Sequence, residues 1–258
     1  MKAQRKSKRL ELSNVLESAI LNGRLKPGMR LVELQLAKEF HVSQTSVREA
    51  LQDLERVGLV VKNSNRGSYV IDLSSEDLIH IYQLRRELEP MACAFAAGCL
   101  KQTMLDSLGS CVARMRQAVK KRDTKAYLAA DLCFHRVIWD SQPNPYLQKA
   151  LTTLCLPLFA YELVERQAGA QMDFGKAIRR HELIMAVLRT GDPTRVAKLM
   201  RRLTDRFLRQ DLTEFTHRRH AVEESGFPPP PQRLRAPKRK TREGSAAAWP
   251  EPSGSGGG

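Results

Sequence analysis

Three side chains in this sequence have the types and spacing that suit a divalent cation: Asp131, His135 and His181. Leu128, Asp131, His135 and Ile138 recur at intervals of three and four, which on a helix sets one carboxylate and one imidazole on the apolar stripe facing a core. His181 falls in line with Ile178, Met185 and Leu188 in the same way. A carboxylate on a buried face is costly unless it is paired or bound to a cation. One Asp and two His converging in a helical bundle therefore suit a divalent metal such as zinc, nickel or manganese. A core ion pair, with Asp131 hydrogen-bonded to His135 or to an arginine, has the same spacing, and spacing alone leaves both readings open.

A second set of polar residues, Gln44, Thr45, Ser46 and Arg48, follows Ser43, a good N-cap, at the start of another apolar-periodic stretch. The first turn of a recognition helix meets base edges with such residues.

The elements that must position these groups follow from periodicity. Leu12, Val15, Leu16, Ala19 and Ile20 predict a first helix that Gly23 ends. Pro27-Gly28 is a turn, and Leu34, Leu36, Ala37 and Phe40 predict a short second helix. His41-Val42-Ser43 breaks it, and a third helix follows with Val47, Ala50, Leu51 and Leu54 on one face and Gly58 at its end. No capping box is expected there, because Glu49 lies beyond the N3 position. Leu59-Val60-Val61 and Ser68-Tyr69-Val70-Ile71 then flank Asn63 to Gly67 as a β-hairpin. Two short helices with a tight turn, followed by a hairpin, make a winged helix-turn-helix. A small structural three-helix domain has the same spacing; the polar first turn of the third helix tips the reading towards DNA.

From Ser74 the pattern is almost wholly helical, with helices expected at 74–98, 102–122, 124–141, 145–167, 172–190 and 193–215. Short connections imply antiparallel neighbours in a bundle. Beyond residue 217 come four consecutive prolines, the basic cluster Lys238, Arg239, Lys240 and Arg242, and a Gly/Ser end, a composition expected to be disordered. The expected fold is mainly α: a basic extension (1–8), a winged helix-turn-helix (9–72), an antiparallel all-helical bundle (74–216) and a tail (217–258).

Composition sets limits on this reading. Of 258 residues, 42% are hydrophobic, enough for a core, and only 6% are aromatic, without the alternating runs of a β-sandwich. Lys and Arg number 43 against 28 Asp and Glu, a net +15 that points to a polyanionic partner. Residues 1–73 hold net +5, residues 74–216 net +6 and the tail net +4, so the helix-turn-helix pattern and not the charge carries the DNA assignment. No apolar run approaches the ~20 residues of a membrane helix. The five cysteines, Cys93, Cys99, Cys111, Cys133 and Cys155, have no metal-knuckle spacing and are expected to be buried free thiols in a reducing cytoplasm.

Residues 27–67, and above all VSQTSVREALQDLERVGLV (42–60), resemble the N-terminal domain of the GntR family of bacterial transcriptional regulators. The resemblance implies a dimer on operator DNA, with Arg66-Gly67 at the wing near the minor groove. Ser43, Gln44, Thr45, Ser46 and Arg48 are then the reading residues. Gln44 stands where relatives usually have Arg, which implies a shift from guanine towards adenine, or a phosphate contact alone. Ser46 replaces a frequent Pro, and His41 replaces the turn Gly; His is among the few non-Gly residues enriched at positive φ.

LRRELEP (84–90), DLCFHRVIW (131–139), Pro143-Asn144-Pro145-Tyr146-Leu147 and HELIMAVLRTGD (181–192) resemble the FCD-type effector domain of the FadR-like branch. That resemblance implies a metal held by one Asp and three His, and a carboxylate effector beside it. Asp131, His135 and His181 match; the third His is expected to align with Arg202, which cannot ligate a metal. Three ligands with water or effector, Arg202 replacing the metal's charge, or Arg202 outside the pocket are the alternatives. Arg85 is expected at the effector or in an ion pair with Glu89, and Asn144 as an N-cap or a pocket donor. The function expected is a cytoplasmic, homodimeric, effector-modulated transcriptional regulator, a repressor by family habit, with no membrane partner. A ligand-independent architectural DNA binder is the alternative. A metal-dependent hydrolase is the remaining one, for which no general base or nucleophile motif is found.

Overall fold

A computed structural model describes residues 2–63, 66–167 and 172–207. The tail expected to be disordered, 217–258, and the end of the last expected helix lie outside the described residues.

The first helix, α1 (Lys2–Leu21), buries Leu12, Leu16, Ala19 and Ile20. It begins at Lys2, so the basic segment expected as an extension is continuous with it. Val15, expected on the inner face, is exposed. Gly23 ends the turn at φ 73°. The short strand β1 (Arg30–Leu31) leads into α2 (Glu33–Glu39), and His41 takes φ 51° at the tight turn. Next comes α3 (Gln44–Arg56), capped by Ser43, whose hydroxyl accepts from the Ser46 N–H at 3.1 Å. The wing is β2 (Val60–Asn63) and β3 (Gly67–Val70), paired antiparallel from Val60↔Val70 to Asn63↔Gly67. β1, which the periodicity did not reveal, pairs with the other edge of β3, Arg30 opposite Tyr69.

The bundle starts at α4 (Ser75–Gly98), fixed by a reciprocal capping box between Ser74 and Asp77. It continues through α5 (Gln102–Lys120), α6 (Thr124–Ser141), α7 (Pro145–Gln167) and α8 (Phe174–Leu188). A further helix, α9, runs over residues 193–207 to the limit of the described segment. α9 is clasped to α4 by the Arg86–Asp205 and Arg201–Glu87 ion pairs and by Tyr82 stacked on Phe207 at 4.4 Å.

One apolar cluster joins the winged helix to the bundle. Leu16, Ile20, Leu51 and Leu54 share it with Trp139, Leu147, Leu151 and Phe159. A second cluster, around Phe134, Met115 and Ile178, lies between α5, α6, α8 and α9. The backbones of the two parts come close together at Gly58. Pro157 has no N–H, so it cannot engage the Thr153 carbonyl one turn back in α7. That carbonyl faces Gly58, where an added Cβ would lie 2.8 Å from the oxygen. Gly58 also takes φ 79°, a region side chains resist. Gly58→Ala should therefore lower stability by about 1–3 kcal/mol, read as a urea midpoint. Gly98→Ala, into open space, should change it by less than about 1 kcal/mol. Equal effects of the two substitutions would mean that the approach at Gly58 is not tight.

Candidate metal centre and nucleic-acid interface

The Asp123 carboxylate caps α6 by accepting from the Ala126 N–H at 2.9 Å, which sets the helix phase so that Asp131 and His135 point inward one turn apart. Asp173 caps α8 and brings His181 to face them. The ligand atoms of Asp131, His135 and His181 all lie within 4.8 Å of one another. His181 Nε2 is 2.8 Å from Asp131 Oδ1, and His135 Nε2 is 3.5 Å from the same oxygen. Asp131 and His181 are buried, and the Phe134 ring lies edge-on to His181 at 4.7 Å.

The outer nitrogen of each imidazole is also directed. His181 Nδ1 lies 2.8 Å from the Ala177 carbonyl oxygen, which only accepts, so Nδ1 carries a hydrogen. Nε2 then offers the Asp131 oxygen either the second hydrogen of an imidazolium or a bare lone pair. A lone pair at 2.8 Å from a carboxylate is repulsive unless a cation sits with them. His135 Nδ1 faces the Glu89 carboxylate at 3.6 Å. Carboxylate or carbonyl partners behind both imidazoles are the usual support of metal-binding histidines. The donor set therefore fits both an ion and a charged hydrogen-bonded cluster. Burial works to raise the Asp131 pKa, but His181 and then His135 outweigh it and hold the carboxyl below its ordinary value.

Arg85 donates to Glu89 at 2.8 Å and lies over the Tyr82 ring, its carbon 4.9 Å from the centroid. Its Nε has no hydrogen-bond partner, nor has the buried Tyr127 hydroxyl. Tyr82 donates to Glu162 at 3.4 Å, and burial, reinforced by the Asp131 charge, pushes the Glu162 carboxyl up. Glu162 and Tyr127 were not singled out from the sequence, because α7 and α6 bring them inward only once the helix phases are fixed.

The expectations for Arg202, Ser46 and the cysteines are corrected, and Asn144 takes the N-cap reading. Arg202 is exposed on the outer side of α9; the neighbouring Leu203 is the residue that packs against the core cluster around Phe134. Arg202 therefore neither replaces a ligand nor pairs with Asp131, and α9 presents an apolar side chain inward. Asn144 is a cap: its side-chain oxygen accepts from the N–H groups of Tyr146 and Leu147 at 3.0 and 3.2 Å. The cysteine expectation also changes, since Cys99 is exposed and Cys133 only half-buried.

On the winged helix, Gln44, Thr45 and Arg48 are exposed on α3, and Arg66 and Gly67 at the wing. Ser46 is not available to a base: it is buried, its hydroxyl 2.9 Å from that of Ser43. Arg48 pairs with Glu33 on α2 at 2.8 Å. Arg30 comes close to Gly67, where an added Cβ would lie 3.7 Å from its Nε. It joins Arg66 at the wing only because β1 pairs with β3.

An exposed, capped recognition helix beside a basic wing, joined to a bundle with a buried Asp/His/His cluster, defines a DNA-binding regulator with a sensor domain. Residues 9–70 match the bacterial regulatory proteins of the gntR family, and residues 80–206 match the FCD domain. The chain is 29% identical over 174 residues to the "Probable D-xylose utilization operon transcriptional repressor" of Paenarthrobacter nicotinovorans, covering 67% of this chain and 75% of that protein. It is 25% identical over 180 residues to the gluconate operon transcriptional repressor of Bacillus licheniformis, covering 69% and 74%. Its fold superposes on E. coli McbR/YncC with a TM-score of 0.68 at 25% identity, over 79% of this chain and 98% of that one. The chain belongs to the GntR family of bacterial transcriptional regulators, in the branch that joins the winged helix to an FCD domain. It is a regulator and not an enzyme, which sets the hydrolase alternative aside.

The buried imidazole predicts a pH response. Burial holds the His135 pKa below its ordinary 6.5, against the opposing pull of Glu89 and Asp131. The unfolded chain therefore takes up a proton first as pH falls, and stability drops below that value. Chelator-treated protein should lose urea resistance between about pH 7 and about pH 5, and His135→Gln should flatten that slope. An unchanged slope in the variant would assign the response elsewhere. Asp131, with its lowered pKa, acts only below 3.8 and lies outside this window.

Proposed function

We propose that this regulator is a repressor that binds a pseudo-palindromic operator as a homodimer in the bacterial cytoplasm. A small carboxylate effector, held beside a divalent metal in the bundle, sets its operator affinity. Residues 9–72 act as the reading head and residues 74–216 as the sensor and dimerisation domain. The observation that carries the metal reading is His181, whose Nδ1 is committed to the Ala177 carbonyl while Nε2 points at Asp131. Asp131, His135 and His181 would hold the ion, with Glu89 and Ala177 orienting the two rings. When bound, the ion neutralises Asp131 and offers open coordination positions to a carboxylate.

The chain's own polar groups support the effector class. Arg85 Nε and the Tyr127 hydroxyl are buried hydrogen-bonding groups without partners, and both feel the cluster's charges: Asp131 adds to the burial that pushes Tyr127 up, and Arg85 opposes protonation of His135. A carboxylate satisfies an arginine and a phenol together. Both named relatives above are operon repressors, which supports repression. The dimer is supported by Leu84, Met91 and Phe95, which share one exposed face of α4. For the ligand to regulate, it must bind the DNA-competent and DNA-incompetent states unequally.

Metal analysis of protein purified without chelator should find about one zinc, nickel or manganese per chain, lost in Asp131→Ala. A metal-free wild type that still responds to organic acids would leave the cluster as an ion pair. On DNA selected from a random pool, Arg48→Ala should cost about 1–3 kcal/mol if Arg48 reads a base, and Arg66→Ala should lower affinity across sequences with a shallower salt dependence. Unchanged affinity in both would move the interface off α3 and the wing. DNA binding that no organic acid alters would favour the architectural alternative.

A further inference from the structure

α5 and α6 carry a pair of sulfurs that neither the metal centre nor the DNA face uses. Cys111 on α5 and Cys133 on α6 lie with their Sγ atoms 3.0 Å apart. Arg114, one turn along α5 from Cys111, sets Nη2 at 2.8 Å from Cys133 Sγ and 3.2 Å from Cys111 Sγ. Cys111 is buried, and Cys133 is half-buried beside the exposed Arg114. Two donors thus converge on the Cys133 sulfur: the Cys111 S–H and the Arg114 N–H. The remaining cysteines are placed differently. Cys93 and Cys155 are buried, and burial pushes both thiols up, Cys155 to about 12. Cys99 donates to the carbonyls of Phe95 and Ser141.

We propose that Cys111 and Cys133 form an oxidation site, at which hydrogen peroxide converts the two thiols into an intrachain disulfide joining α5 to α6. Cys133, the more accessible sulfur, reacts first. Its sulfur attacks a peroxide oxygen, the O–O bond breaks, the thiol proton leaves with the departing oxygen as water, and Cys133 becomes a sulfenic acid. The Cys111 sulfur then attacks Cys133 Sγ, the S–O bond breaks, and the hydroxide leaves with the Cys111 proton as a second water. Two thiols lose two electrons, and the peroxide is reduced to two waters. Closing the sulfurs from 3.0 Å to the ~2.05 Å of a disulfide needs a shift of only about 1 Å. Arg114 stabilises negative charge passing between the sulfurs. Burial and the hydrogen bond to Cys133 push the Cys111 thiol up to about 11 against Arg114, so Cys111 is not the sulfur that meets peroxide first. The bond would fasten to α5 the segment of α6 between Asp131 and His135, whether or not a metal is held there.

The test uses the full chain treated with hydrogen peroxide, then alkylated and digested for mass mapping. The expected result is the loss of two alkylatable thiols per chain and a dithiothreitol-reversible peptide pair joining 111 to 133. In Cys111→Ser, Cys133 should stop at a sulfenic acid that dimedone traps, and Arg114→Met should slow oxidation of the wild-type pair. Oxidation confined to Cys99, a disulfide between chains, or full alkylation of Cys111 and Cys133 in peroxide-treated folded protein would overturn the proposal. The mapping on the unaltered chain decides this without any variant.

Discussion

The sensor bundle is organised around one buried carboxylate. Asp131 is taken out of water on α6, where an unpaired charge would cost several kcal/mol. Two imidazoles meet it, from its own helix and from α8, and each is braced from behind by Glu89 on α4 or by the Ala177 carbonyl. Three helices are thereby fixed in phase by one charge. Phe134 lies edge-on to His181, and Trp139 and Phe159 flank His135, so aromatic rings border the cluster. On α9, Leu203 packs against the apolar core around Phe134 and adds no donor. Any ion or effector at this cluster meets side chains from α4, α6, α7 and α8.

The same helices reach the winged helix. Arg136, one residue beyond His135, donates to Glu17 on α1 at 2.5 Å. The Thr153 hydroxyl on α7 reaches the Arg56 carbonyl at the end of the recognition helix at 3.3 Å, close to the Gly58 approach. A change of phase in α6 or α7 therefore has short mechanical routes to α1 and α3. Those routes are contacts within one conformation; allostery also needs a second state that a ligand prefers.

Much of this was legible in the sequence because periodicity is a local property. Ser74, Asp123 and Asp173 cap helices close to where the patterns begin, and Leu128, Asp131, His135 and Ile138 face inward as their spacing requires. What was missed depends on partners distant in sequence. β1 has only two residues and exists because β3 pairs with it. Ser46 looked like a reading residue, but the Ser43 cap turns it under the helix. Arg202 was expected in the pocket but points outward while Leu203 meets the core, because adjacent residues on a helix differ by about 100° in direction. Glu89 looked like the partner of Arg85, and only the packing of α4 on α6 shows that it also faces His135.

The apolar cluster shared by the two parts has a consequence for evolution. Leu16, Leu51 and Leu54 of the winged helix are covered by Leu147, Leu151 and Phe159 of the bundle. A reading head cut from this chain would carry that greasy underside into water, and one grafted onto a foreign sensor would need matching side chains at those positions. Substitution at the exposed α3 positions Gln44, Thr45 and Arg48 leaves that shared interior untouched, whereas exchange of whole domains does not. The interior ties the head's ancestry to that of its sensor while leaving its reading surface free to drift.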